Sequence, residues 1–251
     1  MEVSEFKDWN GDQAESWADV EFALEHGIYK PVPLEGDEKY CAGDFRSKEC
    51  LELLKGADVV VTNPPFSVFR EFVATLIEYD KKFLIIGNKN ALTYKEIFPL
   101  IMQNKIWLGF GFRGMVGFFK SPYEDFASAS EHKDGMIRNS GVHWFTNIEV
   151  AKFREEIPLW EKYSPEKNPR YDNYDAIEVS KTAEIPVDYF GVMGVPITFL
   201  DKYDPRQFDI LGNSEMFAEP VVVDGKLKKN PGRFYVNGKR MYDRLLIRRK
   251  Q

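Results

Sequence analysis

Asn63-Pro64-Pro65-Phe66 is a stretch whose residue types could do chemistry on a planar amine. The exocyclic nitrogen of adenine donates its lone pair into the ring and is a poor nucleophile. Asn63 supplies a side-chain carbonyl acceptor. Pro64 and Pro65 have a fixed φ and no N–H to enter a hydrogen-bond ladder, so a backbone carbonyl can be held free and aimed. Two acceptors gripping both amino protons return electron density to the nitrogen and favour its pyramidal, attacking form. Phe66 offers a flat face on which an extruded base can stack. Neither a metal nor a covalent enzyme intermediate is needed, because alignment with an electrophilic methyl supplies much of the rate. Asn-Pro and Pro-Pro also mark ordinary turns, so the flanking elements decide between the readings.

Those elements favour a site. Asp58-Val-Val-Val-Thr62 reads as a buried strand, and Ser67 as the cap of a helix carrying Val68, Phe69, Phe72, Val73, Leu76 and Ile77 on one face. The carboxyl edge of strands in an open α/β sheet is where ligands bind. Phe83–Ile86, Ile106–Phe110 and Val142–Thr146 are further strand candidates. Two helices are expected upstream, one opened by a capping box at Asp12–Glu15 and ending near Gly27, one capped by Ser47 and stopped by Gly56. Thr93–Glu96 is another capping box, with Pro99 kinking or restarting its helix. Strand and helix alternating at this spacing predict a layered α/β fold with a largely parallel sheet. Past about residue 155 the texture becomes Pro- and Tyr-rich with short β runs such as Val192–Phe199. The expected organisation is therefore a catalytic domain over 1–155 and a smaller, mixed and β-rich recognition domain over 156–251.

Composition bounds the partners. The chain has 251 residues, 43% hydrophobic and 29% charged, which suits a globular protein rather than a disordered one. No run of 18 apolar residues exists to span a membrane, and the acidic start is wrong for a secretory signal. With only Cys41 and Cys50, neither a disulfide framework nor a four-Cys zinc site can be built. His26, His132 and His143 are far apart, so no metal is expected, and His143 reads as a strand residue. A cytoplasmic location follows from these features. The net charge is −6, yet residues 225–251 hold ten basic side chains against one acid, Asp243. Such a basic end can attract phosphate although the whole chain repels it, and its interleaved apolar residues predict strands rather than a loose tail. Arg240 and Arg244 are the candidates there for contact with a nucleic-acid substrate.

Asn63-Pro-Pro-Phe66 matches the signature of amino-methyltransferases, and the longer runs Asp58–Ser67 and Leu84–Asn90 resemble the EcoRI-type adenine-specific DNA methyltransferases. Gly43–Ser47, Trp144–Asn147, Tyr171–Asp175 and Gly194–Asp201 resemble that family too, so the likeness runs from about residue 40 almost to the end. The resemblance implies a Rossmann-like methyltransferase sheet and methyl transfer from S-adenosyl-L-methionine to adenine N6 in double-stranded DNA, as in restriction-modification. It implies that Asp44 accepts from the cofactor's adenine amine, that Phe45 packs on its ring, and that Asn63 lies against both cofactor and target. Asn63 and Pro64 would hold the amine, with Pro65 completing the motif. Phe66 would stack on the flipped base. By residue type alone, Trp144 and Phe145 are candidates to complete its pocket, since flipped bases are held between aromatic faces, with ordinary core packing the alternative and the safer reading.

One feature of that family is missing. A Gly-rich loop after the first strand and an acid after the second should precede Asp44, and the 43 residues available contain no apolar β run of four. The sheet is then incomplete, with the first half absent, or supplied by a missing N-terminal segment or a second chain, or the cofactor is held differently; absence is the leading expectation. Gly109-Phe-Gly-Phe-Arg-Gly114 fits the spacing of a cofactor loop, but the β-like Met115–Phe119 follows where a helix is required, so a hairpin bend is the expected role. Two other functions keep the motif in view: methylation of an RNA guanine or protein glutamine amine, and a non-catalytic DNA-binding remnant.

Overall fold

The structure, a computed structural model, describes residues 7–29, 32–109, 117–120, 135–139, 141–149 and 155–251. Its contacts divide the chain into two compact units, Met1–Asp58 and Val59–Gln251.

The first unit carries two helices, α1 (Trp17–Glu25) and α2 (Lys48–Gly56). α1 is capped by Ser16 and Asp19, not by the Asp12–Glu15 box. Asp19 sits at the third helical position, and its buried carboxylate accepts from the N–H groups of Ser16, Trp9 and Asn10, which lowers its pKa chiefly through Ser16. Asp12 instead belongs to a tight loop in which Asp8 gathers the N–H groups of Gly11, Asp12 and Gln13. One carboxylate oxygen each from Asp8, Asp12 and Asp19 lies within 4.8 Å of the others. α2 begins as expected, with Ser47 Oγ accepting from Cys50 N–H.

The second unit opens with β1 (Val59–Thr62), α3 (Phe69–Glu78), β2 (Lys82–Asn88), α4 (Phe98–Met102) and β3 (Trp107–Leu108). β4 (Gly117–Lys120), β5 (Met136–Asn139) and β6 (Val142–Thr146) follow. Four of these strands make one sheet in the order β1-β2-β6-β3. β1 and β2 pair in parallel, whereas β6 runs against both β2 and β3. Three strands thus share one direction, and β6 is the reversed one between them. α3 crosses between the parallel strands and buries Phe69, Val73 and Leu76, each worth about 1.5–3 kcal/mol against exposure. The Thr93–Glu96 box caps no helix; Pro99 opens α4 in its first turn, where its missing N–H costs nothing.

β1 corrects the sequence reading most sharply. The sequence predicts burial, but Val59 is 47% and Val61 64% exposed, because among the described residues β1 pairs with β2 alone and forms the sheet edge.

The remainder is mainly β. β7 (Arg170–Tyr171), β8 (Tyr174–Glu178), β9 (Met193–Pro196), β10 (Phe208–Asn213) and β15 (Arg244–Arg249) form a five-stranded sheet in the order β10-β15-β9-β8-β7. Between its last two members in sequence come α5 (Ser214–Phe217) and two small ribbons, β11 (Val221–Val223) with β12 (Lys226–Lys228) and β13 (Tyr235–Val236) with β14 (Lys239–Arg240). The basic end is therefore folded into strands, as the alternation of its apolar residues predicts. Buried Tyr171, Ala176, Phe234 and Leu246 form a core cluster here.

Candidate active site

At Thr62 the chain leaves the sheet through Asn63-Pro64-Pro65, then enters a 3₁₀ turn, Phe66–Val68, and α3. Ser67 lies inside that turn and caps nothing; Val68 occupies the cap position of α3 without a side-chain bond. The two prolines are in different circumstances. The Pro65 carbonyl accepts from Val68 N–H at 3.1 Å, which closes the turn. The carbonyl of buried Pro64 has no hydrogen-bond donor among the described residues. Asn63 is exposed, and its side-chain amide likewise has no partner among the described residues. Phe66 is 40% exposed. The motif thus keeps two acceptors and one aromatic face unspent, at the carboxyl end of an edge strand.

The loop after β2 leaves the same side of the sheet, because β1 and β2 are parallel with Thr62 opposite Ile85. It continues as a 3₁₀ stretch, Lys89–Thr93, capped by Asn88 Oδ1 accepting from Asn90 N–H. Arg70, Tyr94, Glu96 and Asn213 help line a cleft of about 490 Å³, a volume in the range of ligand sites. Arg70 follows Phe66 by one helical turn, and its guanidinium lies 5.5 Å from the Tyr94 ring centre and 3.7 Å from the Glu96 carboxylate. Nothing in the local sequence signals this grouping, since its members come from three separate elements.

Asp44 and Phe45 belong to the first unit. Arg46 grips the Asp44 carboxylate, with its N–H and Nε donating to Oδ1 and Nη2 donating to Oδ2 at 2.8 Å. These bonds, the side-chain ones foremost, hold the Asp44 pKa down at about 2. A carboxylate offers about four acceptor positions, so Oδ2 retains room for an amine. Phe45 is half-buried with the Arg46 guanidinium 5.4 Å from its ring centre.

Two candidates are displaced by the structure. Phe145 is fully buried and meets Phe69 edge to face at 5.1 Å, so it packs beneath α3 and cannot line a base pocket. Trp144, one residue earlier and so on the other face of β6, is half-buried. Arg244 is not a surface cation: its side chain is 8% exposed and pairs with Glu178, itself 3% exposed. Nε lies 3.0 Å from both Glu178 oxygens and Nη2 2.7 Å from Oε1, while Tyr171 donates its hydroxyl to Oε2. Burial works against the Arg244 charge, but the Glu178 bonds outweigh it and raise the pKa. Arg240 is exposed on β14, with no ion pair among the described residues. His143 is a buried strand residue, as expected, and its Nε2 lies 3.0 Å from Asp201 Oδ1. Of the Gly109–Gly114 stretch, all but Gly109 lies outside the described residues; Gly117–Lys120 just beyond it is a hairpin strand. Among the described residues no helix is long and apolar enough to cross a membrane.

The family described as adenine-specific methyltransferase EcoRI matches residues 1–250. The type II methyltransferase M.EcoRI of Escherichia coli is 45% identical over 247 residues, covering 91% of this chain and 72% of the relative. M.MgeORF184P of Mycoplasma genitalium is 38% identical over 221 residues, covering 83% and 70%. M.MpnI of Mycoplasma pneumoniae is 37% identical over 238 residues, covering 88% and 72%. No solved structure matches. With a family match over essentially its whole length and relatives this similar, the chain belongs to the EcoRI family of adenine-specific methyltransferases.

Proposed function

We propose that this protein methylates the N6 amine of adenine in double-stranded DNA, with Asn63, Pro64 and Phe66 as the groups that meet the base. The observation that carries the reading is the pair of unspent acceptors, the Asn63 amide oxygen and the Pro64 carbonyl, beside the exposed Phe66 ring. Type II methyltransferases among its relatives support DNA as the substrate.

S-Adenosyl-L-methionine, when bound, supplies an electrophilic sulfonium methyl. Asp44 has a carboxylate position left for the adenosine amine, and Phe45 an aromatic ring to pack beside it, so these residues fit the cofactor. Asn63 Oδ1 and the Pro64 carbonyl each accept one proton of the target amine, which localises the lone pair on nitrogen. Pro65 locks the turn that aims its neighbour. Phe66 stacks on the extruded base in place of the neighbours it loses in the duplex. Trp144 closes the other side of the base, and Arg240 touches a phosphate. Residues 1–155 carry the chemistry on a Rossmann-like sheet in this proposal, and 156–251 the recognition of the target.

The test is transfer of labelled methyl to duplex DNA, followed by identification of the modified nucleoside. N6-methyladenine is expected, and Asn63→Ala is expected to lower kcat by about 10²-fold or more, the scale of losing one polar partner in the transition state. Label appearing on RNA or protein but not DNA, or an Asn63→Ala enzyme as fast as the wild type, overturns the proposal.

A further inference from the structure

We propose that the β11–β12 ribbon is the element that enters the major groove of the target DNA, with Lys226, Lys228 and Lys229 on phosphates and Val222 and Leu227 against base edges. The inference rests on the DNA-substrate reading above and names how that substrate is read.

The ribbon is built to keep its shape. Asp224 and Gly225 at its turn both have positive φ, 50° and 70°, the arrangement whose twist suits a two-residue hairpin. Its two strands pair with each other and, among the described residues, with no other strand. Antiparallel strands about 4.8 Å apart make a ribbon that a major groove about 12 Å wide admits.

Its surface is unusual for a ribbon meant only for water. Val222 stands directly opposite Leu227, so both point from the same face. They are 63% and 57% exposed. A solvated β face carries polar residues, whereas an exposed apolar pair on one face of a narrow ribbon, with Lys226 and Lys228 at the flanking positions on its other face, suits stacked base edges with phosphates to either side. Lys226, Lys228 and Lys229 are exposed and have no ion pair among the described residues. Some lysines of the same part of the chain are matched instead, Lys167 to Glu161, Lys181 to Glu184 and Lys250 to Asp209. Arg233, between the ribbon and β13, is likewise neutralised by Asp243. Three unspent cations therefore share one narrow ribbon with the apolar pair, a combination that a polyanion with apolar base edges would recognise.

The experiment reads binding of the full chain to random-sequence duplex by fluorescence anisotropy, without cofactor, across a salt series. Lys226→Gln/Lys228→Gln/Lys229→Gln is expected to flatten the log–log salt slope by about 2.7, or ~0.9 for each phosphate no longer neutralised, and to weaken affinity near 0.1 M salt by about 10²-fold. A control, Lys162→Gln/Lys167→Gln/Lys181→Gln, removes the same charge elsewhere and is expected to leave the slope unchanged. Val222→Ser/Leu227→Ser is expected to keep the slope and to abolish sequence preference in a selection from a random duplex library. A ribbon variant with the wild-type slope, or a control whose slope flattens as much as that of the ribbon variant, overturns the proposal while the DNA reading stands. A wild-type chain that binds no duplex overturns both.

Discussion

Arg244→Leu is the substitution that most directly separates a structural arginine from a DNA-binding one. The guanidinium reaches Glu178 through bonds of 2.7 and 3.0 Å, and both side chains are nearly sealed from water. Removing the cation leaves the Glu178 carboxylate buried with, among the described residues, only the Tyr171 and Ser180 hydroxyls to satisfy it. Stranding one partner of a buried pair costs about 3–5 kcal/mol. At roughly 2–4 °C per kcal/mol for a unit of this size, the melting temperature is expected to fall by about 6–20 °C. Replacing both partners, Glu178→Leu/Arg244→Leu, is expected to recover much of that stability, because an apolar pair carries no desolvation penalty. Thermal and urea denaturation measure these changes, and the salt slope of duplex binding measures the other role. An Arg244→Leu protein that melts like the wild type while its slope flattens by about 0.9 would refute the structural assignment.

Two further outcomes follow from the same burial. Phe145→Ala removes a fully buried ring that packs on Phe69 and is expected to cost about 3–5 kcal/mol in urea denaturation; a near-neutral result would return Phe145 to the base pocket. Burial pushes the Tyr203 hydroxyl up to about 12, and burial followed by the Glu178 charge raises Tyr171 as well. Below about pH 10 both states hold these protons, and above it the unfolded chain releases them first, so stability falls with rising pH by ~1.4 kcal/mol per unit for each tyrosine. Urea midpoints across that alkaline range check the sign, and a midpoint independent of pH would contradict it.

What the sequence made legible was local. Ser47 caps α2 through a side chain three residues from its donor, and the run at Phe83–Ile86 lies within β2. What it hid was non-local. A short Val-rich run looks the same whether neighbours flank it on both sides or on one, so β1 reads as buried although it lies at the edge of its sheet. Arg244 reads as a surface cation because its partner lies 66 residues away. Ser16 displaces Asp12 as a cap because Asp8, upstream of both, draws the Asp12 loop around itself.

The prolines of the motif carry the same lesson into the chemistry. Residue types alone allow either Pro64 or Pro65 to offer its carbonyl to an amine. The turn into α3 decides between them by using Pro65, whose oxygen is bonded to Val68 N–H. Since Pro lacks an N–H, neither position can divert the backbone into a further strand ladder, and Asn63 is left outside the pairing of β1 with β2. An edge strand followed by two prolines therefore protects one carbonyl and one amide from the hydrogen bonds that folding would otherwise claim. That protection is what a poor ring amine requires of its partners, and it comes from the backbone as much as from the asparagine.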